Sequence, residues 1–447
     1  MPDEPPTGAP SVAPSAYDPA AEVVGLCSDL IRIDTTNAGD GQGPGERRAA
    51  EHVAGLLDEV GIAAEVVELS PGRTQLVARW GGDGSRDDAL LVHGHLDVVP
   101  AEAADWRVHP FSGEVSDGYV WGRGAVDMKD FDAMVLSVVR ARARAGAVPD
   151  RPVVLCFTAD EEAGGLYGAL PLTEQRPDLF EGCTEAIGEV GGFSVEVRGR
   201  RMYLIESAEK GMAWLRLVAR GTAGHGSMIN PDNAISRLTE AVARIGAYQW
   251  PTRLTPTMQV LLATVGDLAG VEATPDNALE LVEEFGDASR MLGAVLRNTL
   301  NPTMLGGGYK VNVVPSEATA HLDGRFLPGH EDEFFATLAE LCGDEVSIET
   351  ITSQPPWEMP YDGPIVTAMT RALLAEDPDA LVAPYLMSAG TDAKYFGRLG
   401  IRTFGFTPLR LPADLDFTAL FHGVDERVPT DALEFGARVL DRVLDQA

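Results

Sequence analysis

Two short apolar runs that break off into charged residues constrain the fold of this 447-residue chain more than anything else in it. Ala89-Leu-Leu-Val92 leads into His93-Gly-His95-Leu-Asp97, and Val153-Val-Leu-Cys-Phe-Thr158 leads into Asp160-Glu161-Glu162. A continuous apolar run bounded in this way reads as a strand buried on both faces, the kind that builds a parallel sheet. Open α/β sheets carry their ligand sites at the carboxyl edge of such strands. Both polar packets therefore fall on one rim. A third, Gly122-Arg-Gly-Ala-Val-Asp127-Met-Lys129, lies between them in the chain. Imidazole and carboxylate concentrated in this way read as a metal site.

The rest of the chain supports alternating architecture. Ala21 to Ile31 is amphipathic, Glu46 to Val60 forms a helical pattern ended by Gly61, and strands and helices alternate to about Gly192. Lys129 to Ala145 is apolar at helical spacing through Phe131, Met134, Val135, Val138 and Val139, which places Asp127 at a helix N-terminus, where the dipole favours a carboxylate. After Phe193 the character changes. Met212 to Ala219 reads as a strand, Asn233 to Tyr248 as a helix, Glu317 to Arg325 as an alternating strand, Glu331 to Cys342 as a helix and Val346 to Ile351 as a strand. That order is an α+β unit with an antiparallel sheet. Pro251 to Gly308 is longer than such a unit needs and stays unassigned. From Pro364 the α/β pattern resumes, with a helix to Ala375, a strand at Leu381 to Leu386 and a final helix from Thr430. The expectation is an α/β domain with a mainly parallel sheet, interrupted by a second domain. Its divisions are a disordered tail over 1–18, the larger domain over 19–207 and 356–447, and the insert over 208–355.

Length and a hydrophobic share of 45% are ample for two cores. A formal charge of −33 with no Lys/Arg block to offset it argues against nucleic-acid or anionic-membrane partners. No run approaches the roughly 20 apolar residues of a membrane span. The first twenty residues are rich in Pro, Ala and Ser and lack the basic and apolar regions of a signal peptide. Cys27, Cys156, Cys183 and Cys342 are scattered in apolar contexts and read as reduced core thiols. A cytoplasmic protein is expected.

His95 and Asp97 form His-x-Asp, a spacing that puts both side chains on one face of an extended segment, so the Asp can hold one ring nitrogen while the other binds metal. Adding Asp127, Glu162, Glu189 in Ala186-Ile-Gly-Glu-Val-Gly-Gly192 and His422 in Phe421-His-Gly-Val-Asp-Glu-Arg427 gives two imidazoles and three carboxylates. That mix of nitrogen and oxygen suits one or two zinc ions, with cobalt or manganese as substitutes.

These motifs resemble the M20 metallopeptidase family, which includes aminoacylase, succinyl-diaminopimelate desuccinylase, carboxypeptidase G and carboxypeptidase S. The resemblance implies a zinc-exopeptidase-like catalytic domain holding two Zn2+: His95 and Glu189 on one ion, Glu162 and His422 on the other, and Asp127 bridging them. It makes Asp97 the residue that orients His95, and Glu161 the general base. It also implies that the insert is a lid used for dimerisation in many members, which offers a homodimer as the assembly. Gly221-Thr-Ala-Gly-His225-Gly-Ser227 matches the lid motif whose His stabilises the oxyanion, often in the partner's site. Tyr309 to Pro315, with Asn312, and Asp323-Gly-Arg325 match segments that hold substrate, the Arg gripping a carboxylate. Gly390-Thr391-Asp392 resembles a turn near the substrate pocket. The implied reaction is hydrolysis of an amide in an N-acyl amino acid or a short peptide with a free carboxylate. Water acidified between the ions would give its proton to Glu161. Asp130 departs from the family, many members having Gly there. The insert before Asn312 and Glu209-Lys-Gly211 resemble the aminoacylase and carboxypeptidase S branch.

Each residue also has a plainer reading. His93 is a packing residue, and His52, His109, His321 and His330 are solvated or loop residues. His225 could be only a Gly-flanked turn residue, and Arg325 only the ion-pair partner of Asp323. Two other functions compete: a dinuclear aminopeptidase of another family, against which the motif at His225 speaks, and a binding protein on the same scaffold, which would have lost the base or a ligand.

Overall fold

A computed structural model describes residues 17–446 except 40 and 83. The tail expected over 1–18 lies outside the described residues save its last two, and of these Tyr17 donates a hydrogen bond from its hydroxyl to Asp441 Oδ1 at 2.8 Å.

The larger unit is built on a ten-stranded sheet. Strands Val153–Thr158, Ala89–His95, Cys183–Gly188 and Arg402–Gly405 lie side by side and parallel, as the apolar runs require. Alternate side chains of these strands enter different cores. Leu90, Val92, Val153, Leu155, Phe157 and Ile187 pack under helices Val23–Ile31, Lys129–Arg144 and Thr430–Gln446. Ala89, Leu91, Val154, Cys156 and Ala186 face Leu172, Phe180 and Phe396 on the other side. Burial on both faces explains why these strands read as unbroken apolar runs. Their carboxyl ends, His95, Thr158, Gly188 and Gly405, form one edge.

The smaller unit is a four-stranded antiparallel sheet ordered Thr299–Gly307, Glu317–Phe326, Gly211–Arg220, Val346–Gln354. Ala213, Leu215, Leu217 and Ala219 point inward and meet helices Ala234–Ala247 and Glu331–Cys342 in a core of their own. Asn233 Oδ1 caps the first helix, accepting from the N–H of Ile235 at 2.9 Å, and Ala234, Leu238, Ala241 and Ile245 supply its buried stripe.

The unassigned stretch has a clear structure. Thr255 caps helix Pro256–Ala269, Pro256 opens it and Gly270, at φ 72°, closes it. Its buried Met258, Leu261, Leu262 and Val265 join the core of the larger unit, as do Leu281 and Leu292 from the short helices that follow. The chain thus returns from the smaller unit to the larger and leaves it again at strand Thr299–Gly307. Strand Arg200–Glu209, which the sequence reading passes over, is buried along most of its length and carries the sheet to the junction with the smaller unit. Among the described residues no helix is long and apolar enough to cross a membrane.

Candidate metal centre

His95 ends its strand with 1% of its surface exposed. Its Nδ1 donates to the main-chain carbonyl of Asp97 at 2.9 Å. A carbonyl can only accept, so Nδ1 carries a proton and Nε2 is the ring atom turned toward the carboxylates. That Nε2 lies 3.1 Å from Asp127 Oδ1, 3.3 Å from Glu189 Oε2 and 3.9 Å from Glu161 Oε2. Across Asp127 the pattern repeats: His422 Nε2 stands 3.3 Å from Asp127 Oδ2 and 3.0 Å from Glu162 Oε2. Two groups result, His95-Asp127-Glu189 and Asp127-Glu162-His422, each with its ligand atoms within 4.8 Å of one another and with Asp127 common to both.

The electrostatics of both groups suit a cation. Burial opposes a charge on His95, yet Glu189, Asp127 and Glu161 raise its proton affinity well above that of a free imidazole. Asp127 and Glu162 lift His422 to about 10. Burial, with Asp127 beside it, pushes Glu162 up to about 7. Burial and the facing Glu189 push Glu161 well above the ordinary carboxyl range. Packed carboxylates draw positive charge to both imidazoles, and a proton there occupies the place suited to a cation. The nitrogen and oxygen donors match a zinc-type ion.

Residues far apart in sequence hold the donors in place. The Asp97 carboxylate accepts the N–H of Glu161 at 3.1 Å, the N–H of Glu162 at 3.2 Å and the Asn37 amide at 2.9 Å. The sequence reading has Asp97 orient His95 through its side chain. In the structure the carbonyl oxygen makes that contact, the carboxylate stands 3.7 Å away, and the carboxylate fixes the adjacent glutamates instead. Asp160, at φ 66°, turns the chain between Thr158 and Glu161 and is held by Asn37 and by Arg73, itself paired with Glu46. Glu426 accepts the N–H of Val126 at 2.8 Å and pairs with Arg123 at 2.6 Å, tying the segment before Asp127 to the loop that carries His422. Glu46, Asn37, Arg73, Arg123 and Glu426 were missed by sequence reasoning, since no local motif marks them.

His93 is a packing residue: its ring lies 4.8 Å from that of Phe396, a Cβ on Gly188 would run into it, and burial drives it down to about 3. Thr391 donates its N–H at 3.0 Å and its hydroxyl at 2.5 Å to Glu209 Oε1. Asp392 Oδ2 accepts from the Thr158 hydroxyl at 2.7 Å, so the Gly390–Asp392 turn backs onto the strand beside His95. The remaining candidates lie in the smaller unit. His225 is exposed and bonded through Nδ1 to Ser227 Oγ at 2.8 Å, and exposed Asn312 accepts the N–H of Gly226 through its main chain. Arg325 pairs with Asp323 at 2.7 Å.

A family profile described as peptidase family M20/M25/M40 matches residues 91–446. The chain belongs to that family. It is 28% identical over 387 residues to probable carboxypeptidase S-like 2 of Dictyostelium discoideum, covering 79% of this chain and 70% of the relative. It is 27% identical over 386 residues to aminoacylase-1 of Sus scrofa, covering 83% of this chain and 82% of that one. Among solved structures, the M20 family metallo-carboxypeptidase Sso-CP2 from Sulfolobus solfataricus superposes with a TM-score of 0.71 at 18% identity over 95% of this chain and 99% of its own. The Bacillus subtilis YXEP protein, described as a dinuclear metal binding peptidase from the M20 family, has a TM-score of 0.60 at 13% identity over 95% and 97% of the two chains. The chain is a hydrolase of a metallopeptidase family, acting on peptide or acyl-amino acid bonds, with a catalytic α/β domain and an inserted α+β unit.

Proposed function

We propose that this protein hydrolyses the amide bond of an N-acyl amino acid or short peptide bearing a free carboxylate, with two Zn2+, or Co2+ or Mn2+, in the paired groups around Asp127. The observation that carries this reading is the sharing of Asp127 by two imidazole-carboxylate groups. The names of the aminoacylase and carboxypeptidase relatives, and that of the dinuclear neighbour, support it.

His95 and Glu189 would hold one ion, Glu162 and His422 the other. When bound, the ions supply Lewis acidity, polarising the scissile carbonyl and acidifying water. Glu161 is the base. Its carboxylate reaches the His95 side of the centre, 3.9 Å from Nε2, where it can take a proton from water and pass it to the departing amine. Arg325 and Asn312, with the Gly390-Thr391 turn, would receive the substrate, the Arg exchanging Asp323 for the substrate carboxylate. His225, on the exposed strand Gly224–His225, would reach an oxyanion from the lid of a second copy. Met228 and Ile229 beside it in the chain, Tyr309 and Val311 before its partner strand Val313–Val314, and Met304 and Leu305 on strand Thr299–Gly307 are exposed, apolar side chains suited to contact with a second copy. On this reading the lid is the smaller unit within 208–355. The four free thiols support a reducing compartment, the cytoplasm, as its home.

The test is hydrolysis of a panel of N-acetyl amino acids, N-succinyl-diaminopimelate and dipeptides by chelator-stripped and zinc- or cobalt-reconstituted protein. Metal-dependent turnover is expected. Silence across the panel with two metals bound overturns the substrate class.

A further inference from the structure

The chain passes between its two units at several places, and three of them meet at Glu209-Lys210. The first is the step from strand Arg200–Glu209 of the large sheet to strand Gly211–Arg220 of the small one. The second is the exit after helix Ser289–Ala294, where buried Lys210 donates from Nζ to the carbonyls of Ala294 at 3.1 Å and Arg297 at 2.8 Å and to Thr299 Oγ1 at 3.3 Å. The third is the return from strand Val346–Gln354 to strand Trp357–Glu358, where Trp357 stands opposite Glu209 in the large sheet. A rotation of the small unit must bend the chain at these points.

Glu209 also points into the active-site side of the large unit. It is 2% exposed, and its Oε1 takes both the N–H and the hydroxyl of Thr391. From Thr391 the contacts continue without a gap. Lys394 Nζ donates to the Thr391 carbonyl at 2.6 Å. Asp392 accepts from Thr158, which stands beside His95 in the parallel pair and precedes Asp160 and Glu161. The Gln354 amide, at the return crossing, reaches the same region: its Nε2 lies 3.4 Å from where a Cβ on Gly164 would sit and its Oε1 3.8 Å from one on Gly390.

We propose that Glu209 is a positioning residue that couples the hinge between the units to the Gly390–Asp392 turn, so that rotation of the lid shifts the turn that backs His95 and Glu161. A carboxyl group suits the task because one oxygen satisfies two buried donors at once, and its loss leaves the Thr391 N–H without that acceptor. Direct contact with the crossing strands on one side and the turn on the other makes the coupling reciprocal: loosening either end loosens the other. The turnover arm of the test rests on the hydrolase reading; the exchange arm does not.

The experiment is hydrogen–deuterium exchange on the zinc-reconstituted full chain, comparing wild type with Glu209→Ala, Glu209→Gln and Thr391→Val, alongside kcat and KM on the best substrate of the panel. Thr391→Val removes the hydroxyl that donates to Glu209 and accepts the N–H of Ala393, and leaves the hinge sequence intact. It is expected to speed exchange by about tenfold at peptides covering 209–212 and 354–358. Glu209→Ala is expected to do the same over 390–394 and to lower kcat by more than it alters KM, with zinc content unchanged. Glu209→Gln, which keeps an acceptor for Thr391, restores part of both. Exchange changes confined to the substituted segment, with the hinge peptides of Thr391→Val at wild-type rates, overturn the proposal. If wild type turns over nothing on the panel, the hydrolase reading has failed on its own account and the exchange rates still decide the coupling. If Glu209→Ala does not fold, Thr391→Val and Glu209→Gln decide it.

Discussion

Replacing Asp97 by Asn separates two accounts of how the metal groups are supported. The carboxylate accepts from Glu161 N on one oxygen and from Glu162 N and Asn37 Nδ2 on the other. An Asn side chain offers one oxygen and one NH2. Its better placement keeps the oxygen toward Glu162 and Asn37 and sets the NH2 against the Glu161 N–H. Asn37 cannot relieve the conflict by flipping, because its own Oδ1 accepts from Arg73 at 2.7 Å and from Gly39 N at 3.0 Å. One orphaned donor costs about 1–3 kcal/mol, and the bonds that remain lose their charge assistance. The strain falls on the Glu161-Glu162 segment, so affinity at the Glu162–His422 position should drop about 10–100-fold, or about 1.4–2.7 kcal/mol. His95 keeps its partner, since the carbonyl of residue 97 is unchanged. Calorimetric titration of zinc into stripped protein reads both sites, and the same titration in a His422→Ala background isolates the His95–Glu189 site. Asp97→Asn should leave the isolated site unaltered. Loss of affinity there would show that the carboxylate, not the carbonyl, holds the imidazole, and would refute the reasoning.

Glu161→Gln should lower kcat by about 10²–10⁴-fold, the usual worth of a positioned base, while two zinc ions still bind; turnover and metal analysis on one preparation check both halves. Glu206 is fully buried, and burial together with Glu209 and Glu189 raises its pKa well above the ordinary range. The unfolded carboxyl titrates near roughly 4.3, so above that pH the native state binds more protons and stability falls as pH rises toward the folded pKa. Glu206→Gln should therefore match wild type in urea unfolding of chelated protein near pH 4 and become the more stable of the two toward pH 8; a pH-independent difference speaks against a protonated Glu206. Phe334 is buried in the core of the smaller unit, stacked on Trp250 at 5.4 Å and packed on Phe326 at 5.2 Å. Phe334→Ala should cost about 3–5 kcal/mol and split thermal unfolding into two steps, with zinc binding surviving the first; a single cooperative transition would show that the units do not melt separately.

Three of the candidate metal donors are legible because each sits at the end of a local pattern, whereas His422 lies in a loop that carries none. His95 and Glu189 follow apolar strands, Asp127 precedes a long amphipathic helix, and parallel topology then places such ends on one edge. Their supports were not legible. Asn37 and Asp97, or Arg123 and Glu426, meet only after folding, and nothing in the neighbourhood of Glu426 announces a partner some 300 positions away. Strand Arg200–Glu209 was passed over because its apolar centre is flanked by charges at both ends, which sheet burial and the Thr391 contact absorb. Helix Pro256–Ala269 did carry a signal, Thr255-Pro256 at the start and Gly270 at the end, but length alone could not say which core it joins. His225, Asn312 and Arg325 stand out by motif, and their described partners are Ser227, Gly226 and Asp323, all within the smaller unit. The roles proposed for them draw on substrate, closure and a second copy, which no local pattern encodes.

If Asp127 joins two cation sites, anomalous diffraction at the zinc edge from crystals of zinc-reconstituted protein will show two peaks, one against His95 and Glu189 and the other against Glu162 and His422, with the Asp127 carboxylate between them. A single peak, or zinc bound away from Asp127, would contradict it.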